Sequence, residues 1–460
     1  MKDSFVIVLD IGATNVRAVA VTKNGLILAE KSYANQRHPD PFLQNGLIWD
    51  VDEIWDKLAK ATQNILKTID GDKLIGVSIT SFGVDGAPFN KKGAQLYPVI
   101  SWACQRTEDI LEELFAKIPL SHLIAISGVN HFHFNTLYKI YWLLKHKKEL
   151  MKDMDSWLFM PSIISQRLCN TMYTDVSMLG TSMLGDFSGR DFSGEILSVL
   201  GLDDTVFPPL KEAGDFIGTI TEKASRKFGI KAGVAVYAAG HDTQFAVFAS
   251  GASIHEAVLS SGTWEILMMR SPLVKVNDET QKAGITIELD AEAPLFNPGI
   301  QWLGSGILEW IKNTLFSDVK DRSDIYDIMI SEAQKVKKSG LEFRTDFLTE
   351  DGFIKGIGLQ TSRGEIYLAA LYALANQSKL NLQKLEELSG TKAQSLIVVG
   401  GGSKNKLWNE IREKALGIEI KVNKQTETTV LGAAMFAFAA CGVYNSAQEA
   451  RKAFLKNAKK

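Results

Sequence analysis

Two stretches about half a chain apart open in the same way, and this repeat restricts the possible fold more than any other feature. The first is Phe5-Val-Ile-Val-Leu-Asp10-Ile-Gly12-Ala-Thr14-Asn15-Val-Arg17-Ala-Val-Ala-Val21, where β-branched apolar residues flank a polar turn that contains Gly. The second, Ala257-Val-Leu-Ser-Ser-Gly262-Thr263-Trp-Glu-Ile-Leu-Met268, again reads strand, Gly-Thr turn, strand. Each pattern predicts a β-hairpin. Their recurrence predicts a duplicated architecture.

Strand and helix signals alternate around these hairpins. Ile75 to Thr80 and Val234 to Ala239 read as short buried strands, and Thr136 to Lys145 reads as an amphipathic helix with Leu137, Ile140, Tyr141 and Leu144 on one face. Ser362-Arg-Gly-Glu365 is a capping box that opens a helix, and Ser395 to Val399 is a strand entering Gly400-Gly401-Gly402-Ser403. Such alternation predicts α/β domains. The expected boundary lies near 245–255, giving an N-terminal domain over 1–245 and a C-terminal domain over 255–450. With 460 residues, 45% of them hydrophobic, each half is large enough to bury its own core. Lys and Arg number 51 against 53 Asp and Glu, which argues against a dedicated nucleic-acid or polybasic membrane surface. The run Val430 to Tyr444 is too short to span a bilayer and reads as a buried helix. Cys104, Cys169 and Cys441 are scattered and odd in number, so no disulfide framework is expected. The start of the chain lacks the features of a secretory signal, and a cytoplasmic location with reduced thiols is expected.

Four motifs carry chemistry. In Asp10-Ile-Gly12-Ala-Thr14-Asn15-Val-Arg17, a tight Gly turn lets backbone donors approach phosphate oxygens, and Asp10 at a strand end could hold Mg²⁺ through water. The same residues would also serve as a plain hairpin turn. Ser260-Ser261-Gly262-Thr263 is chemically its twin. Val398-Val399-Gly400-Gly401-Gly402-Ser403 permits flat contact with a planar ring such as adenine, beside a helix amino terminus that favours anions. In Gly240-His241-Asp242-Thr243-Gln244, Asp242 could accept a hydroxyl proton during phosphoryl transfer, or could simply cap a helix. The phosphate signature Gly-x-x-x-x-Gly-Lys-Ser/Thr is absent, so the nucleotide must be held in another way. Trp102 and Arg106 pair a flat apolar face with a donor fork, which suits a sugar as well as ordinary packing. His131-Phe-His133 has a metal-like spacing but lacks a third ligand.

Together these motifs resemble the FGGY carbohydrate kinases, of the superfamily of actin, hexokinase and the heat-shock chaperone ATPases. The resemblance also rests on Thr80-Ser-Phe-Gly-Val-Asp85-Gly86, Ser101-Trp-Ala-Cys-Gln-Arg-Thr107, Phe134-Asn-Thr-Leu-Tyr-Lys139 and Asn297-Pro-Gly-Ile-Gln-Trp302. It implies two actin-like (ribonuclease H-like) ATPase domains around a central cleft. It further implies Mg²⁺-dependent transfer from ATP to a small ketose, L-fuculose, giving L-fuculose 1-phosphate. By the same resemblance Asp242 is the proton acceptor, and Gly12, Thr14, Asn15, Arg17, Gly262, Thr263, Gly401 and Gly402 hold nucleotide. Asp85, Trp102, Arg106, Asn135, His241 and Asn297 are implied sugar contacts, and Asp10 the metal contact. Cys104 and Gln105 stand where many wider members carry an acidic residue, which limits transfer of sugar contacts from glycerol or xylulose kinases. A kinase for L-rhamnulose or another ketose would share the phosphate machinery. A non-catalytic nucleotide switch of actin or chaperone type would share the fold, but Gly240-His-Asp-Thr-Gln244 speaks against it. The expected partners are the ketose and ATP, with no nucleic acid or membrane; a homo-oligomer is compatible with the sequence.

Overall fold

The computed structural model describes residues 4–276, 282–348, 351–423, 425 and 427–458. The chain packs into two compact units, one of Met1–Gly251, Ile287–Phe296 and Glu427–Lys460, the other of Ala252–Thr286 and Asn297–Thr426.

In the first unit the predicted hairpin forms from β1 (Phe5–Ile11) and β2 (Asn15–Thr22), extended by β3 (Ile27–Ala34). With β4 (Leu74–Ser81), β5 (Phe216–Thr219) and β6 (Ala235–Tyr237) they make a six-stranded sheet in the order β5-β6-β4-β1-β2-β3. Every residue of β1 is buried, because both faces of the sheet are covered. Phe5, Ile7, Leu9 and Ile11 point to one face and pack with Ile54, Leu58 and Ile65 of helix α1 (Val51–Leu66). Val6 and Val8 point to the other. Burying each such side chain is worth about 1.5–3 kcal/mol, so a continuous apolar strand is driven to the middle of the sheet. Helix α2 (Thr136–His146) forms where the periodicity predicts it, but Thr136 to Leu143 are all buried, including Lys139. The one-sided face expected for it is therefore part of a helix enclosed on nearly every side.

The second unit repeats the plan. Strands β7 (Glu256–Ser261) and β8 (Trp264–Met269) form the second hairpin, and five successive strands of its six-stranded sheet are β9 (Phe296–Leu303), β8, β7, β10 (Ser395–Val399) and β11 (Glu419–Val422). Each unit thus has three antiparallel strands followed by two parallel ones, in the matching orders β3-β2-β1-β4-β6 and β9-β8-β7-β10-β11. This is the duplication the two hairpins predict.

Helix α3 (Asp242–Ala249) closes the main run of the first unit, and α4 (Ser305–Leu315), α5 (Arg363–Ser389) and α6 (Lys406–Leu416) belong to the second. At the start of α5 the side chain of Ser362 accepts from Glu365 N at 3.1 Å, as the capping box requires. Packing divides 255–450 differently from the expected single domain. Helix α7 (Thr428–Ala440), the apolar segment read as a buried helix, returns to the first unit, where Val430, Met435 and Phe436 pack with Phe245 and Phe248 of α3 and with Val6 and Val8. An apolar helix goes wherever its surface is covered, and here α3 and β1 cover it. No helix among the described residues is long and apolar enough to cross a membrane.

Candidate active site

Strands β1, β4 and β6 of the first unit are parallel neighbours, so their carboxyl ends share one edge of the sheet. Open α/β sheets bind ligands at that edge. Asp10 lies beside Thr80 in register, and Ser81 pairs with His241 in an isolated parallel bridge. Three motifs far apart in sequence, at Asp10, at Ser81 to Asp85 and at Gly240 to Asp242, are thereby brought side by side.

Backbone bonds fix the third of them. Gly240 O accepts from Ser81 N at 3.0 Å and from Thr80 Oγ1 at 2.9 Å. A Cβ on Gly240 would lie 2.0 Å from Asp175 Oδ1, so only glycine fits there. Asp175 in turn accepts from Ser177 N at 2.8 Å, and Ser177 Oγ accepts from His241 N at 2.9 Å. Asp242 is the first residue of α3 rather than its cap, and its Oδ1 accepts from Thr243 N at 2.7 Å. Its side chain keeps 30% of its surface exposed. Burial raises the Asp242 carboxyl above the ordinary range, opposed by His241 and by the Thr243 bonds. A carboxyl group made more basic by burial, yet reachable, is chemically able to accept a proton.

His241 lies between two carboxylates. Its Nε2 is 3.5 Å from Asp242 Oδ1 and its Nδ1 is 3.4 Å from Glu288 Oε2. These are ion-pair contacts, longer than good hydrogen bonds. Burial by itself would lower the imidazole pKa; the Glu288 charge, with Asp242 and Asp175, outweighs it and raises the group to about 8. Gln244 Nε2 also donates to Glu288.

At the first hairpin, Gly12 N donates to Asn15 O at 2.8 Å, closing the turn and leaving Thr14 and Asn15 exposed. Arg17 Nε donates to Asp10 Oδ2 at 2.7 Å, and Arg17 also pairs with Glu427 at 2.5 Å. Burial lifts the Asp10 carboxyl to about 6 against the pull of Arg17, and the charges of Asp242 and Glu427 add to the rise.

The expected sugar contacts separate into two groups. Trp102 is half-buried, with the Arg37 guanidinium 5.7 Å from its ring and the Phe134 ring edge-on at 6.3 Å. Asp85, Arg106 and Asn135 are buried and engaged with protein. Asp85 pairs with Lys139, accepts from Trp49 Nε1 at 2.7 Å and from Trp102 N at 3.1 Å. Arg106 pairs with Asp40 at 2.6 Å and donates to Tyr97 Oη at 3.2 Å. Asn135 Nδ2 donates to Asn130 O at 2.9 Å, whereas its Oδ1 has no hydrogen-bond partner among the described residues. His131 Nδ1 lies 2.9 Å from Tyr138 Oη, so one half of the His-x-His pair serves packing.

In the second unit, Gly262 N donates to Trp264 O at 3.1 Å and leaves Thr263 exposed at the turn. The amino terminus of α4 backs this turn: Ser305 N donates to Gly262 O and Gly304 N to Thr263 O, both at 2.9 Å. Gly400 has φ 86°, a left-handed conformation that glycine accepts readily. A Cβ on Gly402 would lie 2.1 Å from Ser261 Oγ, so the loop runs flat against the end of β7. Around Gly401 nothing stands within 4 Å of where a Cβ would be, and this face is open. Asn297 is buried near the start of β9 in the same unit.

Residues 5–249 match the model of the N-terminal domain, and 257–441 that of the C-terminal domain, of the FGGY family of carbohydrate kinases. The chain belongs to this family. The FGGY chain is 42% identical over 456 residues to L-fuculokinase of Haemophilus influenzae, covering 97% of both chains. To L-fuculokinase of Escherichia coli K12 it is 43% identical, covering 98% of this chain and 95% of that one. Among solved structures, xylulose kinase from Rhodospirillum rubrum superposes with a TM-score of 0.88 at 19% identity, over 97% of this chain and 92% of that one. That likeness shows the fold, the two-domain α/β ribonuclease H-like fold of sugar kinases.

Several residues around the site of this FGGY kinase carry no warning in the sequence. Glu288 stands in Thr286-Ile-Glu-Leu289, which reads as an ordinary alternating strand. Asp175 and Glu427 lie in segments without a motif. Lys139 lies inside a stretch that supports the family resemblance, yet an amphipathic helix reading makes it a solvated lysine.

Proposed function

We propose that this FGGY kinase transfers the terminal phosphoryl group of ATP to L-fuculose, forming L-fuculose 1-phosphate and ADP. The observation that carries the choice of sugar is the 42–43% identity, across nearly the whole chain, to L-fuculokinases. The geometry of the first unit supports the chemistry. The C1 hydroxyl oxygen attacks the γ-phosphorus, its proton passes to Asp242, and the bond from the γ-phosphorus to the bridging oxygen breaks with that electron pair leaving on ADP. Little covalent work falls to the protein, so positioning and charge stabilisation supply the rate.

In this reading the Thr14–Asn15 turn meets the transferred phosphate, and the Gly262–Thr263 turn and Gly401–Gly402 loop hold the rest of the nucleotide. Arg17, already tied to Asp10 and Glu427, holds positive charge at the phosphate turn. Trp102 offers a flat face to the sugar. His241 and Asn297 remain assigned to the sugar side, whereas Asp85, Arg106 and Asn135 shape the pocket from behind it. The Asp10 carboxyl, buried and pressed by two like charges, fits a divalent cation held jointly with the nucleotide's own oxygens. Bound there, Mg²⁺ would neutralise phosphate charge. A cytoplasmic setting accords with the intracellular supply of ATP.

The test is a coupled ADP-release assay with L-fuculose, L-rhamnulose, D-xylulose, D-ribulose and glycerol. The highest kcat/KM is expected with L-fuculose. ADP release that ignores sugar would instead favour a nucleotide switch, and a preference for L-rhamnulose would reassign the substrate.

A further inference from the structure

The second unit contains a charged pair that the proposed chemistry does not use. Glu265, on β8 just past the Gly262–Thr263 turn, and Arg412, on α6, are both fully buried and pair with each other. Glu265 Oε1 also accepts from Ser261 Oγ at 2.7 Å, and Arg412 Nη2 reaches the same Ser261 Oγ at 3.2 Å. The other arm of the guanidinium, Nη1, donates to Asn409 Oδ1 at 3.1 Å. Asn409 Nδ2 donates to Ser403 O at 2.8 Å, at the end of the glycine loop. The guanidinium lies 3.5 Å over the ring of Trp408. On the other side, a Cβ on Gly304 would lie 2.2 Å from Glu265 Cγ, so the strand-to-helix connection that braces the Gly262–Thr263 turn passes directly over this carboxylate. One pair therefore touches Ser261 at the phosphate turn and the brace behind it, and reaches the glycine loop through Asn409.

The pair is poorly built for stability alone. Arg412 Nε is buried without a hydrogen-bond partner among the described residues. Well-packed apolar residues in place of a buried ion pair are often neutral or stabilising, so such a pair is weak evidence of stabilisation. What an apolar pair cannot reproduce is the directional bonding that ties Ser261 to Ser403. We propose that Glu265 and Arg412 are positioning residues that fix the Gly262–Thr263 turn and the Gly401–Gly402 loop to each other, and so set the affinity for a nucleoside triphosphate. This rests on the reading of those two segments as nucleotide contacts.

The experiment compares the wild-type chain with Arg412→Met, Arg412→Lys, the double variant Glu265→Leu with Arg412→Met, and Gly402→Val. For each, the Kd of a non-hydrolysable ATP analogue, the Kd of L-fuculose and the Tm are measured. Arg412→Met should weaken the analogue about tenfold or more, and Arg412→Lys, which keeps the charge but loses the fork, should weaken it by a smaller factor. The double variant should regain a Tm near wild type yet keep the weakened analogue binding, with L-fuculose binding unchanged within about twofold. A scaffold role would restore both together. Folded Arg412→Lys or double variant with wild-type analogue affinity overturns the proposal. Gly402→Val separates the two layers: if it weakens the analogue while the Arg412 variants do not, only the positioning role fails, and if it too leaves analogue binding unchanged, the nucleotide reading of the loop fails first.

Discussion

His241 Nδ1 lies 3.4 Å from Glu288 Oε2. The contact joins an imidazole in the Gly-His-Asp motif to a carboxylate on a strand 47 positions later, and it places a positive charge beside Asp242. Asp242, Asp175 and Glu288 face this imidazole from three separate segments, and together they outweigh the cost of burying it.

The first prediction concerns pH. The folded pKa of His241 is raised from 6.5 to about 8. A raised base contributes stability that is fully present below its unfolded pKa and is lost as pH rises through the folded one. For this shift the contribution is about 2 kcal/mol. Glu288→Gln should therefore lower Tm most near pH 6, with the deficit shrinking above about pH 8. The alkaline limb of its kcat/KM profile should move to lower pH by about one unit. An unchanged profile would remove Glu288 from any influence on the base.

Gly240→Ala is the second. Its methyl would meet Asp175 Oδ1 at 2.0 Å, with backbone on both sides fixed to Ser81 and Ser177. Relief requires moving His241 and Asp242. A small displacement of a positioned base can cost about 100-fold in rate. We expect kcat to fall by about that factor while Tm falls by only a few degrees. Steady-state kinetics beside a thermal melt checks both.

The third concerns the buried Asp85–Lys139 pair. Lys139→Met strands a carboxylate in the interior and should cost about 3–5 kcal/mol in a denaturant titration. Asp85→Asn keeps the shape but loses the charged acceptor for Trp102 N, and should raise the KM for sugar more than it lowers kcat. A Lys139→Met variant as stable as wild type would mean the pair is dispensable.

The parts of the fold that the sequence reveals are those where one physical preference acts alone. The alternation and Gly turns of 5–21 and 257–268 can satisfy their backbone only as hairpins, and both form. Ser362 with Glu365 marks a helix start because the cap bond is local. Helix α7 is a different case. Its apolar surface announces burial, but burial against what is decided by residues far away in the chain, Phe245 about 190 positions earlier and Val6 more than 420. Glu288, Glu265 and Arg412 are hidden for the same reason, since a charge on a strand or helix reads as solvated until its partner is placed. Nor does the sequence show that Asp85 and Arg106 lie buried against Lys139 and Asp40, since each partner is distant in the chain.

In the proposed reaction the carboxylate of Asp242 takes the proton of a ketose hydroxyl as phosphate arrives. This step is tested most directly by phosphorus NMR of ATP and L-fuculose mixed with wild-type protein or with Asp242→Asn. Wild type should produce a sugar phosphate ester at C1 together with ADP. The variant should make that ester about 100-fold more slowly or not at all, while binding ATP within about twofold of wild type. Ester formation by Asp242→Asn at the wild-type rate would exclude Asp242 as the proton acceptor.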